Sequence, residues 1–356
     1  MRYFWLVLGI LLLSVSVLLA QDVQTTIEDV LAEYAEEDGP AVAVQLTTPE
    51  GTWVVTSGLA DGSRPTVADD RFRIGSMSKT YVAVVALMLV EDGIFDLDDT
   101  AAEWLPDEVV ENIANADVVT IRQLLAMRSG IEDYLAEDAF WEAVADDPSH
   151  EWTAAEAVQY AYDLPALFAP DAEFYYSNTN YLLLQLVMEN ATGTPLHQLI
   201  RQRLIEPLGL SNTYTQVSES MPGGFVDGWG YFNDDLENLT DVNDGAGLAD
   251  GGIISTVGDV TTFYLALLQE QSLLDDAMMS ELLNFVDDGE GAAYSLGLNL
   301  GESDVGPVWG HTGSVLGFMS AGSYLPEEDV TIIVLSATED IDPEEVAEAI
   351  LEAVLD

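Results

Sequence analysis

Lys79 is the only lysine in the 356-residue chain, and it stands three residues after Ser76 in Gly75-Ser76-Met77-Ser78-Lys79. Basic residues are otherwise scarce: Lys and Arg number 9 against 64 Asp and Glu. A surface lysine is easily replaced, so the survival of this one points to work that needs an amine. Arginine cannot lose its proton near neutral pH, whereas a desolvated lysine can. The simplest chemistry is a serine nucleophile with a lysine as its base. The bland alternative is coincidence, since serine falls three before a lysine about once in fifteen on ordinary composition.

Two later motifs bear on the choice. Tyr176-Ser177-Asn178 comes just before a helical stretch. A tyrosine hydroxyl can relay protons, and an asparagine can orient both a substrate and a lysine. Taken alone, Phe174-Tyr175-Tyr176 reads as well as core aromatic material. His311-Thr312-Gly313 ends a predicted strand and is followed by Ser314. A glycine there lets backbone N–H groups approach a ligand closely. The other histidines, His150 and His197, read as surface residues. Three histidines so widely spaced make no zinc site, and no Gly-x-Ser-x-Gly elbow of an α/β-hydrolase is present.

Ser-x-x-Lys, Tyr-x-Asn and His-Thr-Gly in this order resemble the serine β-lactamase and penicillin-binding protein superfamily, over nearly the whole chain after its first twenty residues. Related Ser-x-x-Lys and Lys-Thr-Gly signatures mark its enzymes. Arg73 to Lys79 looks like the family's nucleophile segment. Val119 to Leu125 with Ser129-Gly130, Glu206-Pro207-Leu208-Gly209-Leu210, and Gly252 to Asp259 resemble further family stretches. The resemblance is to the subgroup of class C β-lactamases, esterases of that fold and secreted D-alanyl-D-alanine carboxypeptidases. It implies an acyl-enzyme on Ser76, with Lys79 and Tyr176 moving the proton. Asn178, His311, Thr312, Gly313 and Ser314 would bind substrate, and the N–H groups of Ser76 and Ser314 would form an oxyanion hole. No metal or organic cofactor is implied. Carboxypeptidase activity is the leading expectation, with esterase or β-lactamase activity, or a non-catalytic penicillin-binding module, as alternatives.

The chain departs from the pattern at points that bear on substrate. The Lys-Thr-Gly lysine is absent, so a cation that binds a substrate carboxylate must be His311 or an arginine. Some carboxypeptidases of the group carry an arginine on the strand before His-Thr-Gly, whereas Ser295 to Leu300 has none. Arg128 stands where relatives often have His-Thr-Ser-Gly; it reads as a cleft residue or as half of a structural ion pair.

The elements that must position these residues follow from the pattern. Thr25 to Glu37 reads as an amphipathic helix, and Ala41 to Thr48 and Thr52 to Ser57 as strands around Pro49-Glu50-Gly51. From Ser76 onward, Tyr81 to Val90 is apolar on every side, which marks a buried helix stopping near Gly93. Its start would set Ser76 at the positive end of the helix dipole, with Lys79 one turn on. Helical patterns recur at Thr120 to Met127, Thr153 to Tyr162, Tyr181 to Ala191 and Val257 to Glu270. Strands return at Ser295 to Leu300, Val308 to Thr312, Gly317 to Tyr324 and Val330 to Leu335, before a closing helix from Pro343 to Leu355. The fold class is therefore mixed α/β. An antiparallel sheet built from 21–75 and 293–356 is flanked by helices, with a mainly helical region, 76–292, inserted between.

Residues 1–20 read as an export signal: Arg2, an uncharged run from Phe4 to Leu19, then Ala20. The run is short for a spanning helix, which needs about 20 apolar residues. Secretion to the periplasm or cell envelope is the expectation, without stable membrane association after cleavage. The net charge is −55, and loss of the first twenty residues removes one arginine and no acid. Nucleic acid is disfavoured as a partner, which leaves a small-molecule or peptidoglycan-peptide substrate. At 49% hydrophobic residues the chain has ample material for a core. Cysteine is absent, which excludes disulfides and thiolate catalysis. Asn190 and Asn238 begin glycosylation sequons. The acidity fits a saline habitat, where the Debye length falls to about 3 Å at 1 M. An acidic habitat, which protonates carboxylates, fits too.

Overall fold

The computed structural model describes residues 22–231, 236–287, 289 and 292–355. The proposed export signal lies outside them. Among the described residues no helix is long and apolar enough to cross a membrane.

An eight-stranded antiparallel sheet forms the frame. Its order is Gly51–Ser57, Val42–Thr48, Val330–Ser336, Phe318–Leu325, Gly306–Val315, Asn299–Ser303, Ala293–Tyr294, Val286–Asp287. The N-terminal strand pairs with the C-terminal one, Val42 opposite Ser336 and Val44 opposite Val334, so both ends of the chain build one sheet. Strand alternation then assigns the two faces. Val42, Val44, Leu46, Ile332 and Val334 pack with Ile27 and Leu31 of the helix over 22–34 and with Val346 and Ile350 of the helix Pro343–Leu355. Ala43, Ile333 and Leu335 face the opposite way, into a larger core with the helices of the inserted region. Burying each aliphatic side chain of this kind contributes about 1.5–3 kcal/mol.

The inserted helices pass through that larger core. Ser78–Glu91 is buried on nearly every side, and Thr179–Thr192 buries ten consecutive residues, Thr179 to Met188. Thr120 and Thr153 each close a capping box at a helix start. Several elements differ from the sequence reading. The pattern from Val257 gives an α-helix to Tyr264 and a π-helical stretch Leu265–Gln269. The pattern from Thr153 divides into Ala154–Ala157 and a 3₁₀ turn, Val158–Ala161. The strand expected at Ser295 to Leu300 is interrupted. Gly297 turns there with φ +81°, and a Cβ on it would lie 2.7 Å from Ala83 Cβ and from the Tyr181 hydroxyl. The sheet gives way at this point to the two buried helices beneath it.

Candidate active site

Ser76 lies in a 3₁₀ turn, Gly75–Met77, that leads into the helix beginning at Ser78. Ser76 thus sits just ahead of the α-helix rather than within it. The turn is wedged against the strand Gly306–Val315. Gly75 has φ +49°, and a Cβ there would fall 2.8 Å from the Ser314 nitrogen. A Cβ on Gly313 would fall 2.1 Å from the Ile74 carbonyl oxygen. Ser320 Oγ donates to the same carbonyl at 2.8 Å. Two glycines therefore allow the backbones of 74–76 and 313–314 to meet, which brings Ser76 and Ser314 to one pocket.

Lys79 is wholly buried. Its Nζ lies 2.9 Å from Ser76 Oγ, and donates to Asn178 Oδ1 at 2.7 Å and to the Asp250 carbonyl at 2.5 Å. The amine also stands over the rings of Tyr176 and Tyr181, at 5.0 and 5.6 Å from their centroids. The Tyr176 hydroxyl is buried and has no hydrogen-bond partner among the described residues. Tyr176, His311, Thr312, Gly313 and Ser314 line a pocket of about 370 Å³ together with Ser76, Asn299, Asp342 and Glu344. On the other side of Ser76 a pocket of about 300 Å³ is lined by Asn178, Leu135, Trp141, Gln216, Asp244 and Asp250, among others. Ser76, Tyr176, Asn178, His311, Thr312, Gly313 and Ser314 thus each line one or both of these pockets, and Lys79 reaches Ser76 and Asn178 from beneath them.

Asn178 is held from behind. Its backbone N–H donates to Asp133 Oδ1 at 3.1 Å, and its Nδ2 donates to Asp133 Oδ2 at 2.8 Å. The strip containing Asp133 is itself bound to the Tyr176–Asn178 segment. Thr179 Oγ1 donates to the Glu132 carbonyl and accepts from the Tyr134 N–H. Ser129 Oγ donates to Asn180 Oδ1 at 2.6 Å in the interior. The Ser129-Gly130 stretch is thus a support for the Tyr-x-Asn motif.

Electrostatics separates the titratable groups. Burial, and after it the charge of Lys79, pushes His311 down to about 4. Its Nδ1 lies 2.6 Å from the Thr312 carbonyl, which can only accept, so Nδ1 carries the proton. Its Nε2 is then the acceptor facing the Tyr294 hydroxyl at 3.2 Å. His311 is therefore neutral at pH 7 and is not the carboxylate-binding cation that the sequence left open. Arg128 is not one either: it pairs with Asp171 at 2.7 Å and lines neither pocket that contains Ser76. Arg73 does line the smaller pocket; its Nε and one terminal nitrogen donate to Gln216 and the Thr240 carbonyl and it stacks over Phe225 and Phe318, while Nη1 is buried with no partner among the described residues. Burial raises Asp250 to about 6, against the opposing charge of Lys79 and a hydrogen bond from the Tyr134 hydroxyl. Burial also raises Asp133, while its bonds from Asn178 pull the other way.

Asp133, Asp250, Tyr134 and Tyr294 were not singled out from sequence. Each of the two acids is one among 64 Asp and Glu, and no spacing to Lys79 marks either of them.

The Beta-lactamase family model matches residues 24–355. The chain is 27% identical over 307 residues to a penicillin-binding protein of Bacillus subtilis (strain 168), covering 82% of this chain and 65% of that one. It spans less than two thirds of the length of the curated relatives it matches. Among solved structures, a D-stereospecific amidohydrolase from Streptomyces sp. superposes with a TM-score of 0.80 at 29% identity, over 93% of this chain and 97% of that one. The D-amino acid amidase from Ochrobactrum anthropi SV3, complexed with D-phenylalanine, also gives 0.80, at 26% identity over 95% and 99%. The chain belongs to the Beta-lactamase family and has the mixed α/β fold of its penicillin-binding and amidase relatives.

Proposed function

We propose that this member of the Beta-lactamase family is a serine hydrolase that forms an acyl-enzyme on Ser76 and releases neutral leaving groups from small amides or esters. The observation that carries the proposal is Lys79 Nζ, wholly buried, 2.9 Å from the hydroxyl of a partly exposed serine. Lys79 takes the Ser76 proton as Oγ attacks the carbonyl carbon. The carbonyl oxygen becomes an oxyanion between the N–H groups of Ser76 and Ser314, where a donor is worth about 3 kcal/mol. Tyr176 passes the proton to the leaving atom, which then departs as the acyl bond to Oγ stays. Water enters by the reverse route and frees the acid.

The leaving group must lie on the Tyr176 side, because that hydroxyl delivers its proton. There the pocket is lined by Asp342 and Glu344 and by a neutral His311. A peptide leaving group that ends in a carboxylate meets two acids and no cation, so D-alanyl-D-alanine carboxypeptidase activity is the weaker reading. An amide nitrogen or an alcohol meets no such penalty. The acyl side offers Trp141 and Leu135, with Asp244, Asp250 and Glu339 outnumbering Arg73, which suits an acyl group with an apolar part and a free ammonium. Amides of D-amino acids, the compounds for which one structural relative is named, meet both requirements. Export to the cell envelope belongs to the same proposal and rests on residues 1–20.

The test is incubation with a fluorescent penicillin and with p-nitrophenyl acetate, followed by intact-mass measurement. One acyl group should appear on the peptide containing Ser76 and decay with time. D-phenylalaninamide should be hydrolysed faster than a peptide ending in D-alanyl-D-alanine. Labelling or turnover that persists undiminished in Ser76→Ala would overturn the proposal.

A further inference from the structure

No hydrogen bond joins Asp133 to Ser76 or Lys79, yet each of its two oxygens accepts from Asn178. The reason lies in how many hydrogens Lys79 has to give. A neutral amine carries two N–H bonds and one lone pair. Three groups surround Nζ: the Asp250 carbonyl, the Asn178 side chain and Ser76 Oγ. The carbonyl can only accept. The hydroxyl can do either. The amide of Asn178 can present an acceptor or a donor, according to which way round it sits.

A carboxylate settles that choice, because it only accepts. Asp133 Oδ2 takes a hydrogen from Asn178 Nδ2, while Oδ1 takes the backbone N–H. Nδ2 must then point at Asp133, and Oδ1 must point at Lys79. In the neutral amine that the acyl-enzyme reading requires, both hydrogens then go to oxygens, and the lone pair is left for the Ser76 hydroxyl. If the amide were reversed, Nδ2 would donate to Nζ. The amine would then turn a hydrogen toward Ser76 and could not take its proton.

We propose that Asp133 is a positioning residue that holds the Asn178 amide with its oxygen toward Lys79, so that the lysine lone pair faces the nucleophile. The inference rests on the acyl-enzyme reading of Ser76 and Lys79 above. It assigns the orientation of the base to a carboxylate one residue removed from the chemistry. Tyr134, the next residue, fixes the other side of the lysine cage: its hydroxyl donates to Asp250, whose carbonyl accepts from Nζ.

Asp133→Asn tests the proposal with almost no change of shape. The remaining side-chain oxygen at position 133 would keep the N–H of Asn178, and also that of Leu135, which donates to the same atom now. The introduced NH₂ group would then face the Asn178 side chain and turn that amide round. Turnover of p-nitrophenyl acetate should fall about 100-fold in kcat, at the lower end of what general-base catalysis contributes. KM and Tm should stay close to those of the unaltered chain. The reciprocal variant, Asp133→Asn with Asn178→Asp, places the donor and acceptor the other way about. The amide at position 133 then donates to a carboxylate at position 178, whose second oxygen faces Lys79 again. The new carboxylate also favours the ammonium form of Lys79, so the recovery, at least about tenfold in kcat over Asp133→Asn, should be sought at alkaline pH, where the amine is again neutral. Two results would overturn the proposal: full kcat in Asp133→Asn, or a double variant no faster than that single one at any pH at which both are folded. Ser76→Ala in the same assay keeps the two readings apart, since residual turnover there removes the acyl-enzyme and leaves nothing for Asp133 to position.

Discussion

Lys79 Nζ is caged by a hydroxyl, an amide oxygen, a main-chain carbonyl and two aromatic rings. That cage accepts a compact amine and has no room to relax around a fork of nitrogens. Lys79→Arg keeps the charge and removes the base, because a guanidinium does not deprotonate. Acylation by p-nitrophenyl acetate should fall by about 10³-fold or more, which stopped-flow release of p-nitrophenol measures directly. A lesser loss would mean that Lys79 acts only through its charge. Tyr176→Phe removes a buried hydroxyl that has no partner among the described residues, so the fold should lose little. Its kcat should drop most for amides, whose nitrogen needs a proton, and less for nitrophenyl esters, whose leaving group does not. A uniform loss across both would remove Tyr176 from the proton path.

Two buried groups near Ser76 and Lys79 also set opposite pH dependences. His311 is lowered from 6.5 to about 4, so the unfolded chain binds its proton first as pH falls. Stability therefore rises with pH across that window. Asp250 is raised from 3.8 to about 6, so the unfolded chain loses its proton first and stability falls as pH rises. The two windows nearly coincide and the slopes oppose. In His311→Gln the first contribution is gone. Its Tm should then fall more steeply than that of the unaltered chain between pH 4 and pH 6, as thermal melts at fixed salt would show. Equal slopes in the two proteins would mean that His311 is not held neutral by burial. The pairing of Ser76 with Lys79 is legible in the sequence because lysine occurs once. The contact of Asp133 with Asn178 is not, because one acid among 64 carries no mark until its hydrogen bonds are seen.

At the scale of elements, the sheet and the buried helix were legible because their periodicities are strong. Val42–Thr48 and Val330–Ser336 alternate between two cores, and Ser78–Glu91 is apolar nearly all round. Departures occur where one element is shaped by another. The strand break at Gly297 is set by Ala83 and Tyr181 beneath it, residues far away along the chain. Chain composition holds no trace of such a contact. The wedge at Gly75 is of the same kind, and it is testable. Gly75→Ala adds a Cβ at φ +49°, 2.8 Å from the Ser314 nitrogen. The left-handed backbone costs about 1–3 kcal/mol, and relief of the clash must part Ser76 from Ser314. Tm should fall, and kcat should fall further than the stability loss explains, because the two oxyanion donors move apart. Retention of kcat in a protein with lowered Tm would show that the turn and strand can slide without harming the site.

The whole molecule is a strongly negative body with few positive charges to offset it. Its arginines are largely spent: Arg64, Arg122, Arg128, Arg201 and Arg203 each pair with an acid. Most of the 64 carboxyl groups therefore repel one another across the surface. At pH 7 the fold should need salt, and Tm should climb steeply from low to molar NaCl as the Debye length shrinks toward about 3 Å. The same field acts on substrates, and here the sign depends on their charge. An anionic penicillin is repelled on approach, so its acylation rate constant should rise with ionic strength. D-phenylalaninamide carries an ammonium and is attracted, so its kcat/KM should fall. A neutral nitrophenyl ester should change little, and it reports any effect of salt on the fold itself. All three must be measured where the melt shows the protein folded. Parallel responses of the penicillin and the amide would assign the salt effect to stability and remove the surface field as a determinant of substrate choice. A Tm indifferent to salt at pH 7 but much higher at pH 4 would instead tie the acidity to a low-pH habitat, where protonated carboxyls no longer repel.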